Sequence, residues 1–205
     1  MRLLIATTNP GKVREITGIL EGAGVELLTL AGIPANIGAI GAPDETGSTF
    51  EENARLKALY YAGASGELTV AEDSGLAIDA LGGAPGVESA RFGGAGSTYP
   101  EKFALLFDRL AHVAPAGRTA RFVCALALAE GDRVLFEARG TVEGVITGEA
   151  KGTGGFGYDP IFFYPAFGTT LAESADRKSA VSHRGAAFRT LRDYLAARKS
   201  APARG

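Results

Sequence analysis

The sequence predicts an α/β protein built on a mixed β-sheet, and three observations carry that prediction. The chain opens with a strand, a helix and a second strand, a pattern that favours parallel pairing. Further on, two long apolar runs flank Glu130-Gly131-Asp132, which reads as an antiparallel hairpin. The composition is that of a globular chain, 46% hydrophobic and 21% charged. Its 205 residues suffice for one large domain or two small lobes with a real core.

Leu3 to Thr7 is the first strand, a short apolar run. After Thr8-Asn9-Pro10-Gly11-Lys12 comes a helix with Val13, Ile16, Ile19 and Leu20 on one face, stopped by Gly22 and Gly24. Val25 to Thr29 is the second strand. Residues 31–48 are rich in Gly, Pro and Ala and form a loop of the length that is usually functional or mobile. Ser48-Thr49-Phe50-Glu51 reads as a capping box opening a helix that runs to about Gly63. Leu68 to Glu72 is a strand ended by Asp73-Ser74-Gly75, and Leu76 to Leu81 a separate short strand closed by Gly82-Gly83-Ala84-Pro85-Gly86. Thr98-Tyr99-Pro100-Glu101 is a second capping box, and its helix carries Phe103, Leu106, Phe107 and Leu110. Arg121 to Leu128 and Arg133 to Val145 are the arms of the hairpin. A last helix runs from about Ser182 to Arg198. The expected domain is 1–198, with 199–205 a flexible tail.

Several function classes are disfavoured. Net charge is −2, so there is no global basic field for nucleic acid. The single cysteine, Cys124, sits in an apolar run and reads as a buried, inert thiol in a reducing compartment. With it and only two histidines, His112 and His183, a zinc site of Cys and His is nearly ruled out, and a metal would be held by oxygen. No segment spans a bilayer, and the N-terminus lacks a full signal peptide, so a cytoplasmic protein is expected.

Five patches carry chemistry. Gly154-Gly155-Phe156-Gly157-Tyr158-Asp159-Pro160 holds an aromatic ring between glycines, where backbone can approach a ligand and the ring can stack on a flat base; the plain alternative is a tight turn with a core Phe. Thr7-Thr8-Asn9-Pro10-Gly11-Lys12 lies where a strand meets a helix N-terminus, a place for an anion. Asn9 as N-cap with Pro10 at N1 explains two of these residues but not Lys12. Glu45 lies in the long loop, and Asn53 and Lys57 share the face of the next helix, by default a solvated one. Glu72-Asp73-Ser74-Gly75 closes an apolar strand, where acidic residues can hold a hard cation or take a proton from water. Lys178 and Ser182-His183-Arg184 place cations at the start of the last helix, where only an anion or a carbonyl-rich base makes them useful. An aromatic stacker, cations and carboxylates are the inventory for a nucleoside triphosphate with Mg²⁺.

These motifs, in this order, resemble the inosine/xanthosine triphosphate pyrophosphatase family. The matching segments are Thr7, Asn9 and Lys12; Phe50 to Ala58; Asp73 to Leu76; Leu81 to Gly86; Ser89-Ala90-Arg91-Phe92; Gly152 to Pro160; and Lys178 to Gly185. Glu72 departs from the second Asp of many relatives and keeps its charge. The resemblance implies a two-lobed single α/β domain with a long mixed sheet flanked by helices, a substrate cleft between the lobes, a homodimer and Mg²⁺. It implies hydrolysis of ITP, dITP and XTP to the monophosphate and pyrophosphate, with Asp73 as proton acceptor and metal ligand and Glu45 as the other ligand. Thr7, Thr8, Asn9, Pro10, Gly11, Lys12, Lys57, Ser74, Phe156, Gly157, Tyr158, Asp159, Lys178, His183 and Arg184 are the implied substrate contacts. On this reading Lys12, Lys57 and Lys178 offset the charge of the leaving pyrophosphate, Glu72 assists Asp73, and Arg184, His183 or backbone N–H near Asp159 aims donors at the C6 oxygen of the base. A regulator that binds a triphosphate without hydrolysing it would not need Glu45 and Asp73. A pyrophosphatase for other modified nucleotides would not need Phe156 with His183-Arg184.

Overall fold

The computed structural model describes residues 1–33 and 41–200. Its seven-stranded sheet runs in the order β2-β1-β3-β4-β5-β6-β7, with β1 Arg2–Ile5, β2 Glu26–Thr29, β3 Leu68–Ile78, β4 Thr119–Glu130, β5 Arg133–Ile146, β6 Phe162–Tyr164 and β7 Thr169–Thr170. The helices are α1 Pro10–Leu20, α2 Phe50–Ser65, α3 Tyr99–Arg109, α4 Lys178–Val181 and α5 His183–Ser200. The sheet is mixed, as expected. β1 pairs in parallel with β2 and β3, while β5–β6 and β6–β7 are antiparallel. Gly131 and Asp132 alone join the sheet neighbours β4 and β5, a connection that only antiparallel strands allow.

The chain forms two compact units. The first comprises Met1–Asp73, Cys124–Gly140 and Arg184–Gly205. Its core joins Leu3 and Ile5 of β1, Ile16 and Leu20 of α1, Leu68 and Val70 of β3, Cys124, Leu126 and Leu128 of β4, and Phe188, Leu191 and Leu195 of α5. The second comprises Ser74–Val123 and Thr141–His183. Its core joins Leu76 and Ile78, Phe103 and Leu106 of α3 with Leu110 just after it, Phe122, Ile146, Tyr158, Ile161 and Phe162. The helical faces that periodicity assigns to Ile16, Leu20, Phe103 and Leu106 are the buried ones.

Several boundaries differ from the sequence expectation. The capping box of α2 sits one residue later: the Thr49 hydroxyl accepts from Glu52 N, and the Glu52 carboxylate accepts from Thr49 N. The helix runs past Gly63 to Ser65, and Gly66, at φ 70°, supplies the left-handed cap. The two short strands around Asp73-Ser74-Gly75 are one, β3, and residues 79–81 form a 3₁₀ turn rather than strand. β6, β7 and α4 carry no clear periodic signal and are additions to the expected elements. The second capping box stands, with Glu101 accepting from both Thr98 N and Oγ1. Part of the expected long loop, residues 34–40, lies outside the described residues. So does 201–205 of the expected tail, and α5 itself reaches Ser200. Among the described residues, no helix is long and apolar enough to cross a membrane.

Candidate active site

In the first unit, β3 carries two adjacent carboxylates toward different partners, as successive strand residues point to opposite faces. Asp73 meets α2. Lys57 Nζ lies 3.1 Å from Asp73 Oδ1 and 2.7 Å from Glu45 Oε1, so one ammonium bridges both carboxylates. Asn53 Nδ2 donates to Asp73 Oδ2 at 3.2 Å, and Asn53 Oδ1 accepts from Gly47 N at 2.8 Å. Asn53 is thus fully buried, not part of a solvated face. Four residues apart on α2, Asn53 and Lys57 hold the two oxygens of one carboxylate. Burial raises the Asp73 carboxyl above its ordinary range, and the pull of Lys57 does not cancel this. Burial also opposes the charge on Lys57, but Asp73 and Glu45 outweigh it and hold the ammonium above its usual value.

Glu72 faces α1 and α5. Its Oε1 lies 2.9 Å from Lys12 Nζ and accepts from Arg184 Nε at 3.1 Å; Cys124 Sγ donates to Oε2 at 3.7 Å. Arg184 Nη1 reaches Glu15 Oε2 at 2.8 Å. Burial alone would raise the Glu72 carboxyl, but Arg184 and Lys12 outweigh it and hold it far below the carboxylate range. Glu72 is thus engaged by Lys12 and Arg184, whereas Asp73 is held by Asn53 and Lys57. The Cys124 thiol is buried and pushed up by desolvation, as an inert cysteine should be.

These pairs also explain cations for which the sequence alone offers no anion but an external one. Carboxylates of this chain face them: Glu72 for Lys12, Glu72 and Glu15 for Arg184, and Asp159 for Lys178. Sequence reasoning missed Glu15. Its one available signal was its place three residues after Lys12 on α1, a shared helix face.

Asn9 caps α1, its Oδ1 accepting from Gly11 N at 2.9 Å and Lys12 N at 3.2 Å, with Pro10 at N1. Thr7 Oγ1 accepts from Asn9 N at 3.2 Å. Thr8, Asn9 and Pro10 are exposed.

The second unit carries the glycine loop. The Phe156 ring is 38% exposed, and Lys178 Nζ stands 4.3 Å from its centroid. Asp159 Oδ2 accepts from Phe156 N at 2.8 Å and from Lys178 Nζ at 2.6 Å. Lys178 therefore sits with the aromatic ring, whereas the sequence reading groups it with the phosphate cations. Gly155, at φ 70°, has no room for a side chain, because a Cβ there would collide with the Asp159 carboxylate. Tyr158 is buried and donates to Ser89 O at 2.8 Å, so its side chain anchors the loop. Ser89 Oγ accepts from Leu76 N at 2.9 Å and donates to Gly86 O at 2.6 Å. The Ser89-Ala90-Arg91-Phe92 segment thus joins the glycine loop to the strand just after Ser74, which is half-buried. His183 stacks on Phe122, centroids 5.0 Å apart and rings within 15° of parallel.

Among the described residues no three His, Cys, Asp or Glu side chains gather as a metal cage. Glu45 and Asp73 nonetheless converge on a single cationic point, the Lys57 ammonium. Two such oxygens fit Mg²⁺, which is commonly held by one or two carboxylates with substrate phosphates completing its shell.

A profile of the Ham1 family matches residues 3–194. The dITP/XTP pyrophosphatase of an Exiguobacterium species is 49% identical over 194 residues, covering 93% of this chain and 95% of that one. A counterpart of the same name from Thermus thermophilus is 48% identical over 192 residues, covering 93% and 90%. The solved HAM1 protein from Coxiella burnetii superposes with a TM-score of 0.86 at 36% identity, covering 95% of this chain and 98% of that one. Fold, motif order and full-length identity agree: the chain belongs to the Ham1 family.

Proposed function

We propose that this chain hydrolyses deaminated purine nucleoside triphosphates (ITP, dITP and XTP) to the monophosphate and pyrophosphate. The observation that carries the proposal is the Asp73 cluster. A buried carboxylate of raised proton affinity, held by Asn53 and Lys57 beside Glu45, is equipped to accept a proton from water. Relatives named dITP/XTP pyrophosphatase support the choice of substrate class.

In this proposal Asp73 takes the proton of the attacking water, and Asn53 fixes its orientation. Lys12 and Lys57 balance the charge that develops on the departing pyrophosphate. Glu45 and Asp73 hold Mg²⁺, which when bound neutralises phosphate charge and polarises the water. The N-terminus of α1, with Lys12, offers N–H groups to phosphate oxygens. Phe156 stacks on the purine, with Lys178 and Asp159 shaping its surroundings. Homodimerisation and a cytoplasmic setting belong to the same proposal. The free Cys124 thiol is in keeping with a reducing compartment.

The test is incubation with ITP, XTP, ATP and GTP plus Mg²⁺, with pyrophosphate and orthophosphate measured separately. Pyrophosphate from ITP and XTP, in excess over that from ATP and GTP, is the expected result. Release of orthophosphate instead, or equal use of all four, defeats the proposal.

A further inference from the structure

Two of the exposed aromatic rings of the second unit belong to one neighbourhood. Phe156 lies in the glycine loop, and Tyr99 is the first residue of α3, 40% exposed. A Cβ on Gly157 would lie 3.6 Å from Tyr99 Oη, so the phenol oxygen borders the backbone next to Phe156. The ring is held on several sides. It packs edge-to-face with Tyr158, centroids 5.4 Å apart, and at a tilt against Phe103 at 6.1 Å. Lys102 Nζ stands 5.0 Å from its centroid and is itself tied to Ala90 O at 2.6 Å. Burial, then the nearby Asp159 charge, raises the phenol above its usual value, so it stays protonated at neutral pH. Yet the Tyr99 hydroxyl has no hydrogen-bond partner among the described residues. A phenol can both donate and accept, and one already fixed by packing loses little freedom on binding. The hydroxyl borders the backbone next to Phe156 and is free to meet a ligand there.

We infer that Tyr99 is a further substrate contact, its hydroxyl hydrogen-bonding the polar edge of the purine that stacks on Phe156. This rests on the base-stacking reading of Phe156. Tyr99 lies outside the motif segments that carry the family resemblance. Donor and acceptor capacity together suit both hypoxanthine and xanthine.

The test compares Tyr99→Phe with wild type on ITP and dITP, with Phe156→Ala in parallel and melting temperatures for all. For Tyr99→Phe, KM should rise about five- to tenfold, the value of one neutral hydrogen bond, with kcat and melting temperature unchanged. The rise should be equal for ITP and dITP. An unchanged KM overturns the inference. A rise for ITP alone also overturns it, by moving the contact to the ribose 2′-hydroxyl. Phe156→Ala separates the two readings. If it leaves KM for ITP unchanged, base stacking fails; if it raises KM while Tyr99→Phe does not, only the present inference fails.

Discussion

Asp73 and Glu72 are neighbours in sequence and opposites in chemistry. Asp73 titrates above its ordinary value because burial outweighs Lys57, and Glu72 far below because Arg184 and Lys12 outweigh burial. A carboxyl raised on folding costs stability once pH exceeds its unfolded value. Asp73→Asn removes that cost and leaves Lys57 its bond to Glu45. We expect turnover to vanish, nucleotide binding to persist and the melting temperature at pH 7 to rise; near wild-type turnover refutes the assignment of the base. For Glu72 the sign is reversed. A lowered carboxyl contributes stability that is present above its unfolded value, near 4.5, and is lost as pH falls below it. Glu72→Gln leaves Arg184 and Lys12 without their shared partner and should cost about 3–5 kcal/mol at pH 7. Urea titrations should show the gap from wild type narrowing below about pH 4.5, and a pH-independent gap excludes the ionic account. The carboxylates are legible in the sequence, because a charged pair ending an apolar run is visible there. Their different roles are not, because the deciding partners lie far along the chain, Arg184 112 positions from Glu72.

At the scale of elements, helices are legible wherever an apolar stripe meets a capping signal, as in α1 and α3. The one-residue error at α2 arises because Ser48 and Thr49 can both cap, and Glu51 and Glu52 can both close the box. The structure selects Thr49 with Glu52. The sequence divides β3 into two strands because Asp, Ser and Gly are poor strand formers. It continues because it is a central strand, with β1 and β4 as its sheet neighbours. Gly75 is what permits close packing there. A Cβ at that position would stand 2.5 Å from Gly86 O and also collide with the Ser89 hydroxyl. Because the first of these is backbone, it cannot swing aside. Gly75→Ala should therefore destabilise by about 1–3 kcal/mol and lower kcat, since the displaced strand carries Ser74 and Asp73. Unfolding curves and turnover that both match wild type contradict this packing argument. β6 and β7, three and two residues long, are too short for alternation to show.

For the whole molecule, the candidate site residues divide between the two units. Lys12, Glu45, Lys57 and Asp73 belong to the first unit, and Phe156, Asp159 and Lys178 to the second. Each group has its own core beneath it and its own internal ion pairs. The proposal gives phosphate chemistry to the first and the base to the second. Inorganic tripolyphosphate, which has the phosphates and no base, tells these apart as a competitive inhibitor. Phe156→Ala should raise KM for ITP by about five- to 150-fold, the range of one base–aromatic stack. It should leave the tripolyphosphate inhibition constant unchanged, because the phosphates never meet that ring. Lys57→Met removes a buried cation and leaves Glu45 and Asp73 facing each other. It should weaken ITP and tripolyphosphate alike and lower kcat besides, since the same ammonium balances the leaving group. Melting temperatures of both variants are measured alongside, because unpairing Glu45 and Asp73 also costs stability. Should Phe156→Ala weaken tripolyphosphate as much as ITP, the ring serves the phosphate end and the division of labour is wrong. Should Lys57→Met spare tripolyphosphate while weakening ITP, the ammonium acts on the nucleoside, and the Asp73 cluster loses its claim to the phosphates.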